Sequence, residues 1–276
     1  MSKHTAVTDC VTVDANAELD SLAQSLGTEE WGIVPVGRSG RLLWNRVAPE
    51  FARLVASPTL SAVVFVPPGV SATSSELWDA ICEADPTAIR VLSSATLAKQ
   101  VSHAWLPSLA PRKPVSVPQG VRSTFQSLSL GNSAEAKAVR AGVLQFWDQL
   151  EPSHQQSQAV EGARRRRAPD YWHAIMHRRE PDYGNSKYWF RRVGSHDLFT
   201  DLADEASDIL DCSLENSADD WARDLIDGGW DAFEFVDFCQ ETAANEDNPL
   251  GVAAREIQLA EMILLFAATL EDLNAV

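Results

Sequence analysis

Four prolines lie within twelve residues and divide this sequence into two parts with different patterns. Pro107, Pro111, Pro114 and Pro118, with Gly120 close behind, are typical of a linker, because proline restricts the backbone and removes a hydrogen-bond donor. We therefore predict a first domain of residues 1–110, a linker of residues 111–120 and a second domain of residues 121–276. A chain of 276 residues is long enough for both domains to bury a core.

Short apolar runs alternate with helical patterns before the prolines. The runs have the composition and the flanking turn residues of buried strands, and they cover residues 31–36, 61–66 and 88–92. Apolar residues at helical spacing occupy residues 42–55, 74–83 and 95–105. An alternation of strands and helices at this spacing predicts a small α/β domain.

After the prolines the pattern is helical throughout. Candidate helices cover residues 133–150, 154–161, 170–180, 198–210, 221–226, 231–242 and 253–273. The last of them is apolar around most of its circumference, which is typical of a helix at the centre of a bundle. We predict an all-α, helical-bundle domain in this part of the chain.

Residues 170–193 contain a high density of aromatic and ionisable side chains, which marks them as the candidate functional region of the second domain. The stretch contains all three tyrosines, two of the nine tryptophans and two of the six histidines, a composition unlike that of a plain packing helix. On a helix, Asp170, His173, His177 and Glu180 fall on one stripe. Two histidines four residues apart are correctly spaced to hold one divalent metal ion.

The helix before this stretch repeats the arrangement, with His154, Gln158 and Glu161 at positions i, i+4 and i+7. If the two helices face each other, His154, Glu161, His173 and His177 converge, and we predict these four as ligands of Zn, Mn or Fe. The same groups without a metal, together with Tyr171, could act as general acids and bases. A buried polar network that only fixes helix packing is the third interpretation.

Cationic and hydrogen-bonding side chains near the histidines predict a pocket for a small anion. We assign substrate binding to Gln158, Arg178, Arg179, Asn185, Lys187, Tyr188 and Arg192. Trp172 and Trp189 could wall the pocket. The alternative for the cations is pairing with carboxylates of the acidic tail, residues 197–276.

The net charge of the chain and its distribution exclude some classes of function. Residues 197–276 carry 21 Asp and Glu against 2 Lys and Arg, and the whole chain has a net charge of −16. This sign argues against a nucleic-acid partner, because phosphate contacts need a positive face. The sequence has no apolar run long enough for a membrane span and shows no secretory signal, and its four cysteines form no CxxC pair. We expect a cytoplasmic protein with reduced thiols and no membrane partner.

The run YWHAIMHRREPDYGNSKYWFRRVG at residues 171–194, with Ser153-His154 and Ser157-Gln158 before it, resembles a family of helical proteins from bacteria and fungi. The likeness covers residues 144–194 and, more weakly, residues 230–237 and 255–258. The first 115 residues are outside it. No activity is established for that family, so the resemblance implies a site in this region and does not imply a reaction.

These patterns together predict an enzyme that acts on a small anionic metabolite, a sugar acid or a phosphate. His154, Glu161, His173, His177 and Tyr171 are the predicted catalytic residues, with or without a metal ion. The alternative is a non-catalytic module that senses a ligand or scaffolds a partner.

Overall fold

The structure is a computed structural model. It describes residues 10–12, 31–35, 51, 54–55, 62–66, 106–117, 119–162, 167–211, 221 and 224–275. The chain packs as two compact units, one of Met1–Trp105 with Val115–Ser129 and the other of Leu106–Pro114 with Leu130–Val276. The predicted domain limits of 1–110, 111–120 and 121–276 stay a prediction, although Leu106–Pro114, which contains three of the four prolines, packs with the helical unit.

The first unit contains three short parallel strands, β1 (Cys10–Thr12), β2 (Trp31–Pro35) and β3 (Ala62–Val66). The strand order is β1-β3-β2, with Cys10 opposite Val63 and Trp31 opposite Ala62. Helix α1 (Gln119–Ser127) belongs to the same unit.

The prediction of an α/β N-terminal domain is wrong. The described residues are 72% helical, and those described among the first 105 are the three strands and the helical residues Phe51, Leu54 and Val55. An α/β fold needs helical layers on its sheet, and the predicted strand at 88–92 and helices at 74–83 and 95–105 lie outside the described residues. Short apolar runs suit buried strands and buried helices alike, so their pattern could not decide the fold class.

The second unit is helical, as predicted for the C-terminal part. Its helices are α2 (Ala134–Phe146), α3 (Leu150–Gln158), α4 (Ala168–Arg179), α5 (Tyr183–Val193), α6 (Phe199–Asp211), α7 (Ala232–Thr242) and α8 (Pro249–Asn274), with a 3₁₀ turn at Ala243–Asn245. No helix among the described residues is both long enough and apolar enough to cross a bilayer.

Side-chain caps define where several helices begin. Ser133 accepts a hydrogen bond from Ala136 N before α2, and Asp182 accepts one from Asn185 N before α5. Asp231 and Asn248 cap α7 and α8 in the same way. Each cap satisfies an amide that the helix leaves without an internal partner, which stabilises the helix by about 1 kcal/mol.

Helix α4 lies at the centre of the helical unit. It packs against α2, α3, α5, α7 and α8, and all twelve of its residues are buried. Two serines hold the helices around α4 at close range. Ser186 of α5 donates to the Ala174 carbonyl of α4 at 2.8 Å, and Ser153 of α3 donates to the Ala141 carbonyl of α2 at 3.0 Å. The first bond brings α5 directly to α4, and the second joins α3 to α2, which also packs against α4.

Candidate metal centre

Helix α4 buries six ionisable side chains, which is costly unless each one is paired or hydrogen-bonded. Asp170 accepts a hydrogen bond from Gly162 N at 2.7 Å, and Tyr171, His177, Arg178 and Arg179 all have hydrogen-bond partners. His173 is the exception on this helix. Only 1% of His173 is exposed, and in the part of the chain that the structure describes neither of its ring nitrogens has a hydrogen-bond partner.

Three imidazoles converge between α3 and α4. One ligand nitrogen from each of His154, His173 and His177 lies within 4.8 Å of the others. The His154 ring centroid is 4.6 Å from that of His173 and 5.3 Å from that of His177. The three histidines could therefore hold one metal ion, as the spacing on the two helices predicted.

Burial and neighbouring positive charge keep two of these imidazoles neutral. Burial is the largest cause that lowers the pKa of His173, to about 3, and His177, His154 and Arg192 act in the same direction. Burial and then His154 lower the pKa of His177 to about 4, although Asp182 opposes the shift. At neutral pH both rings consequently have a lone pair available for a metal ion.

Carboxylates stand at the Nδ1 side of two rings. Glu151 Oε2 lies 3.9 Å from His154 Nδ1, and Glu180 Oε2 and Asp182 Oδ2 lie 3.6 and 3.9 Å from His177 Nδ1. Metal-bound histidines commonly direct their other ring nitrogen toward a carboxylate, which leaves Nε2 for the metal. Glu151 and Asp182 are not among the residues predicted from the sequence, although Glu151 is one helical turn before His154.

Asn185 reaches the same ring from α5. Its side-chain nitrogen lies 3.0 Å from His177 Nε2 and 3.4 Å from His177 Nδ1. The sequence predicts Asn185 as a substrate-binding residue, and the structure places it directly beside the candidate ligand His177. It could donate to the imidazole or, when the imidazole binds a metal ion, turn toward a further ligand of that ion.

The structure does not bring Glu161 into the histidine cluster. Helix α3 ends at Gln158, so Glu161 lies in the turn after it and is exposed. Among the described residues, the group that could hold a metal consists of the three histidines. The prediction that His154, Gln158 and Glu161 share one face of a helix is wrong for Glu161, because the helix ends before it. Gln158, its last residue, is also exposed.

Tyr171 faces away from the imidazoles, in a separate buried network with Arg178. Its hydroxyl donates to Glu261 Oε1 of α8 at 3.0 Å, and Arg178 forms an ion pair with the same carboxylate. Burial and the Glu261 charge raise the pKa of the Tyr171 hydroxyl well above its usual value. These groups join α4 to α8 and do not approach the candidate metal position.

The other cations of the predicted anion pocket also have carboxylate partners. Arg179 pairs with Asp148 and donates to the carbonyls of Gln145 and Ser108. Lys187 Nζ lies 2.6 Å from Asp237 Oδ2. For Arg178 and Lys187, the structure shows the alternative considered above, pairing with the acidic tail.

Arg192, Tyr188 and Trp189 lie together on α5. Arg192 Nε is 3.6 Å from Asp170 Oδ2, and its guanidinium lies 4.8 Å from the centre of the Trp189 ring. Tyr188 is 48% exposed and contacts Trp189 edge to face. Trp189 in turn stacks on His173, with ring centroids 3.9 Å apart. Of the predicted anion-binding cations, Arg192 is therefore the one nearest the imidazoles.

Comparisons with known proteins find no family model, no curated protein and no solved structure that matches the chain. The resemblance drawn from residues 171–194 stays a prediction. The site is consequently interpreted from its own geometry.

Proposed function

We propose that the helical unit binds a divalent transition-metal ion, zinc in the first place, through His154, His173 and His177. The observation that carries this proposal is the convergence of three ligand nitrogens within 4.8 Å. Zinc holds imidazole nitrogens at about 2.0–2.1 Å, which places two ligands of a tetrahedral ion about 3.4 Å apart. The ligand nitrogens must therefore approach one another by up to about 1.4 Å. His154, whose side chain is 25% exposed, has room to move.

The ligand set favours zinc over manganese. Three imidazole nitrogens suit zinc, iron, copper and nickel, whereas manganese prefers carboxylate and water oxygens. Glu161, the one carboxylate predicted as a ligand, is outside the cluster. The carboxylates at the Nδ1 atoms of His154 and His177 would orient the rings from outside the coordination sphere.

Three protein ligands leave a fourth position for water or a substrate, which is the arrangement of catalytic zinc sites. Held by the three histidines, a zinc ion would lower the pKa of its water to about 7 and would supply hydroxide at neutral pH. We propose that the chain uses such a water on a small metabolite. Glu151, Glu180 and Asp182 disfavour an anion at this site, so an anionic substrate would depend on the ion itself and on Arg192.

Metal content tests the proposal. We expect chelator-treated protein to take up one equivalent of Zn²⁺ in a calorimetric titration, and we expect His173→Ala and His177→Ala to lose that binding. His196→Ala is the matched control, because His196 is outside the cluster and packs on Tyr171 at 5.3 Å. Wild-type protein that takes up no zinc, nickel or cobalt, or histidine variants that bind as wild type does, would overturn the proposal.

The rival interpretation, a metal-free packing network, gives a different result. In that case zinc leaves the melting temperature unchanged, while His173→Ala and His177→Ala lower it. A metal that binds only the folded state must raise the melting temperature, and the rise grows with the logarithm of the metal concentration divided by the Kd.

A further inference from the structure

We propose that Trp189 is a positioning residue, which fixes the ring plane of the metal ligand His173 by stacking on it. This role rests on the proposed metal binding. It is assigned from the contacts of His173, Trp189 and Arg192.

The His173 ring stacks on two other flat groups. The Trp189 ring lies 3.9 Å away, with an angle of 21° between the planes. The His177 ring lies 4.9 Å away at an angle of 19°. The flat faces of the ring therefore have neighbours, whereas neither of its nitrogens has a hydrogen-bond partner among the described residues.

This arrangement differs from the usual support of a metal-bound histidine. Such a ring normally donates its second N–H to a carboxylate or a carbonyl, and that hydrogen bond fixes its orientation. His154 and His177 have carboxylates near Nδ1, but no hydrogen-bond acceptor is in position for His173 among the residues that the structure describes. Stacking is the contact that remains to hold its plane.

Trp189 is itself firmly placed. It is buried, at 7% exposure, and the Arg192 guanidinium lies over its ring. Asp170 holds Arg192 at 3.6 Å and is in turn bonded to Gly162 N. Helix α5 is fastened to α4 by the Ser186 hydroxyl, three residues before Trp189. These contacts hold the Trp189 indole in place independently of the His173 ring.

Loss of the indole should weaken metal binding without removing a ligand. In Trp189→Leu the His173 ring can rotate out of the ligand plane, and we expect zinc affinity to fall about 10–100-fold, the range seen when support of a metal ligand is lost. Trp189→Phe keeps a flat but smaller ring, so we expect a smaller loss. Trp230→Leu is the matched control, because Trp230 is equally buried and packs on Phe235, away from the histidines.

The experiment combines Co²⁺ absorption with zinc competition in the full-length chain. Wild type and Trp230→Leu should show the same visible Co²⁺ bands, whereas Trp189→Leu should show shifted or weakened bands and a lower zinc affinity. If Trp189→Leu does not fold, the Co²⁺ bands of Trp189→Phe are compared with those of wild type. A change in the bands supports the positioning role of Trp189, and identical bands refute that role.

The two proposals fail in different ways. Wild-type protein without Co²⁺ or Zn²⁺ binding overturns the proposed function and this role with it. Wild-type binding that Trp189→Leu retains at full affinity and with an unchanged spectrum overturns the role of Trp189 alone. An equal loss in Trp230→Leu also overturns it, since the effect would then be one of general destabilisation.

Discussion

At the scale of single residues, His173 is distinguished by the contacts that it lacks. An imidazole that is buried without hydrogen bonds destabilises the fold, since both of its polar nitrogens have lost water. The neighbouring ionisable groups on α4 avoid this cost through Glu261, Asp148, Asn185 and the Gly162 amide. A metal ion would give one nitrogen of His173 a partner, so the fold should gain stability when the ion binds.

The lowered pKa values of His173 and His177 predict acid lability of the metal-free protein. Their folded-state pKa values, about 3 and about 4, lie below the ordinary 6.5. Between these values and pH 6.5 the unfolded chain binds protons that the folded chain does not, so acidification favours unfolding. Stability should fall as the pH drops below 6.5, by up to about 1.4 kcal/mol per pH unit for each histidine.

Urea unfolding of chelator-treated protein from pH 7.5 to pH 4 measures this slope. The double variant His173→Gln/His177→Gln should show a shallower dependence, because glutamine does not titrate. If the variant has the same slope as wild type, these two histidines are not the cause of the acid lability.

At the scale of the helices, close packing of α2, α4 and α8 limits which side chains fit. Gly142 of α2 faces Trp172 of α4 and Phe266 of α8, and a Cβ atom built on it would lie 2.8 Å from both rings. The two aromatic rings also contact each other edge to face, at 6.4 Å between centroids. A methyl group at Gly142 would therefore force the rings apart.

We expect Gly142→Ala to destabilise the protein by about 1–3 kcal/mol, the usual cost of overpacking a core. Gly184→Ala is the control, because Gly184 lies in exposed α5 surface with no atom within 4 Å of the added carbon. That control should be neutral or stabilising by up to about 1 kcal/mol, since alanine favours helices over glycine. Urea denaturation of both variants tests the contact, which a neutral Gly142→Ala would disprove.

At the scale of the whole molecule, the segment before α1 contributes to the helical unit. Arg255 and Gln258 of α8 donate to the carbonyls of Leu106 and Pro107, and Arg179 of α4 donates to that of Ser108. These bonds satisfy buried guanidinium and amide groups that would otherwise lose their partners. The proline-rich stretch therefore supplies backbone acceptors to the core as well as connecting parts of the chain.

Truncation tests this contribution. A chain of residues 104–276 should fold into the helical unit, whereas a chain of residues 121–276, the domain predicted from the sequence, should be less stable by several kcal/mol or fail to fold. Far-UV circular dichroism with thermal melting compares them. Equal melting temperatures would show that the carbonyls of residues 106–108 are dispensable.

The sequence predicted local features well and long-range features poorly. Helical spacing placed His173 and His177 on one face of α4, because such spacing depends only on backbone geometry. The approach of His154 to them also depends on α3 facing α4, which spacing alone does not determine and which the structure shows. The position of Glu161 depended on where α3 ends, and no strong stop signal at Gln158 marked that end. The partners of Arg178 and Arg179 come from distant segments, so spacing within one helix could not identify them.

The fold class of the N-terminal part shows the same limit. A run of apolar residues indicates burial, but the layer that buries it is a property of the whole fold. The helical pattern after the prolines was more informative, because seven amphipathic segments with short connections have few ways to pack other than as a bundle.

The uneven exposure of the three histidines has a consequence for how quickly an ion could enter and leave. His154 alone is partly open to water, and it lies on α3, a nine-residue helix that begins without a side-chain cap. An arriving ion would meet His154 first and pass inward to the two enclosed rings. The residence time of the ion would then be set by how often α3 moves away from α4. The rate of ion release should therefore depend more on the rate at which that short helix opens locally than on the strength of the metal–nitrogen bonds.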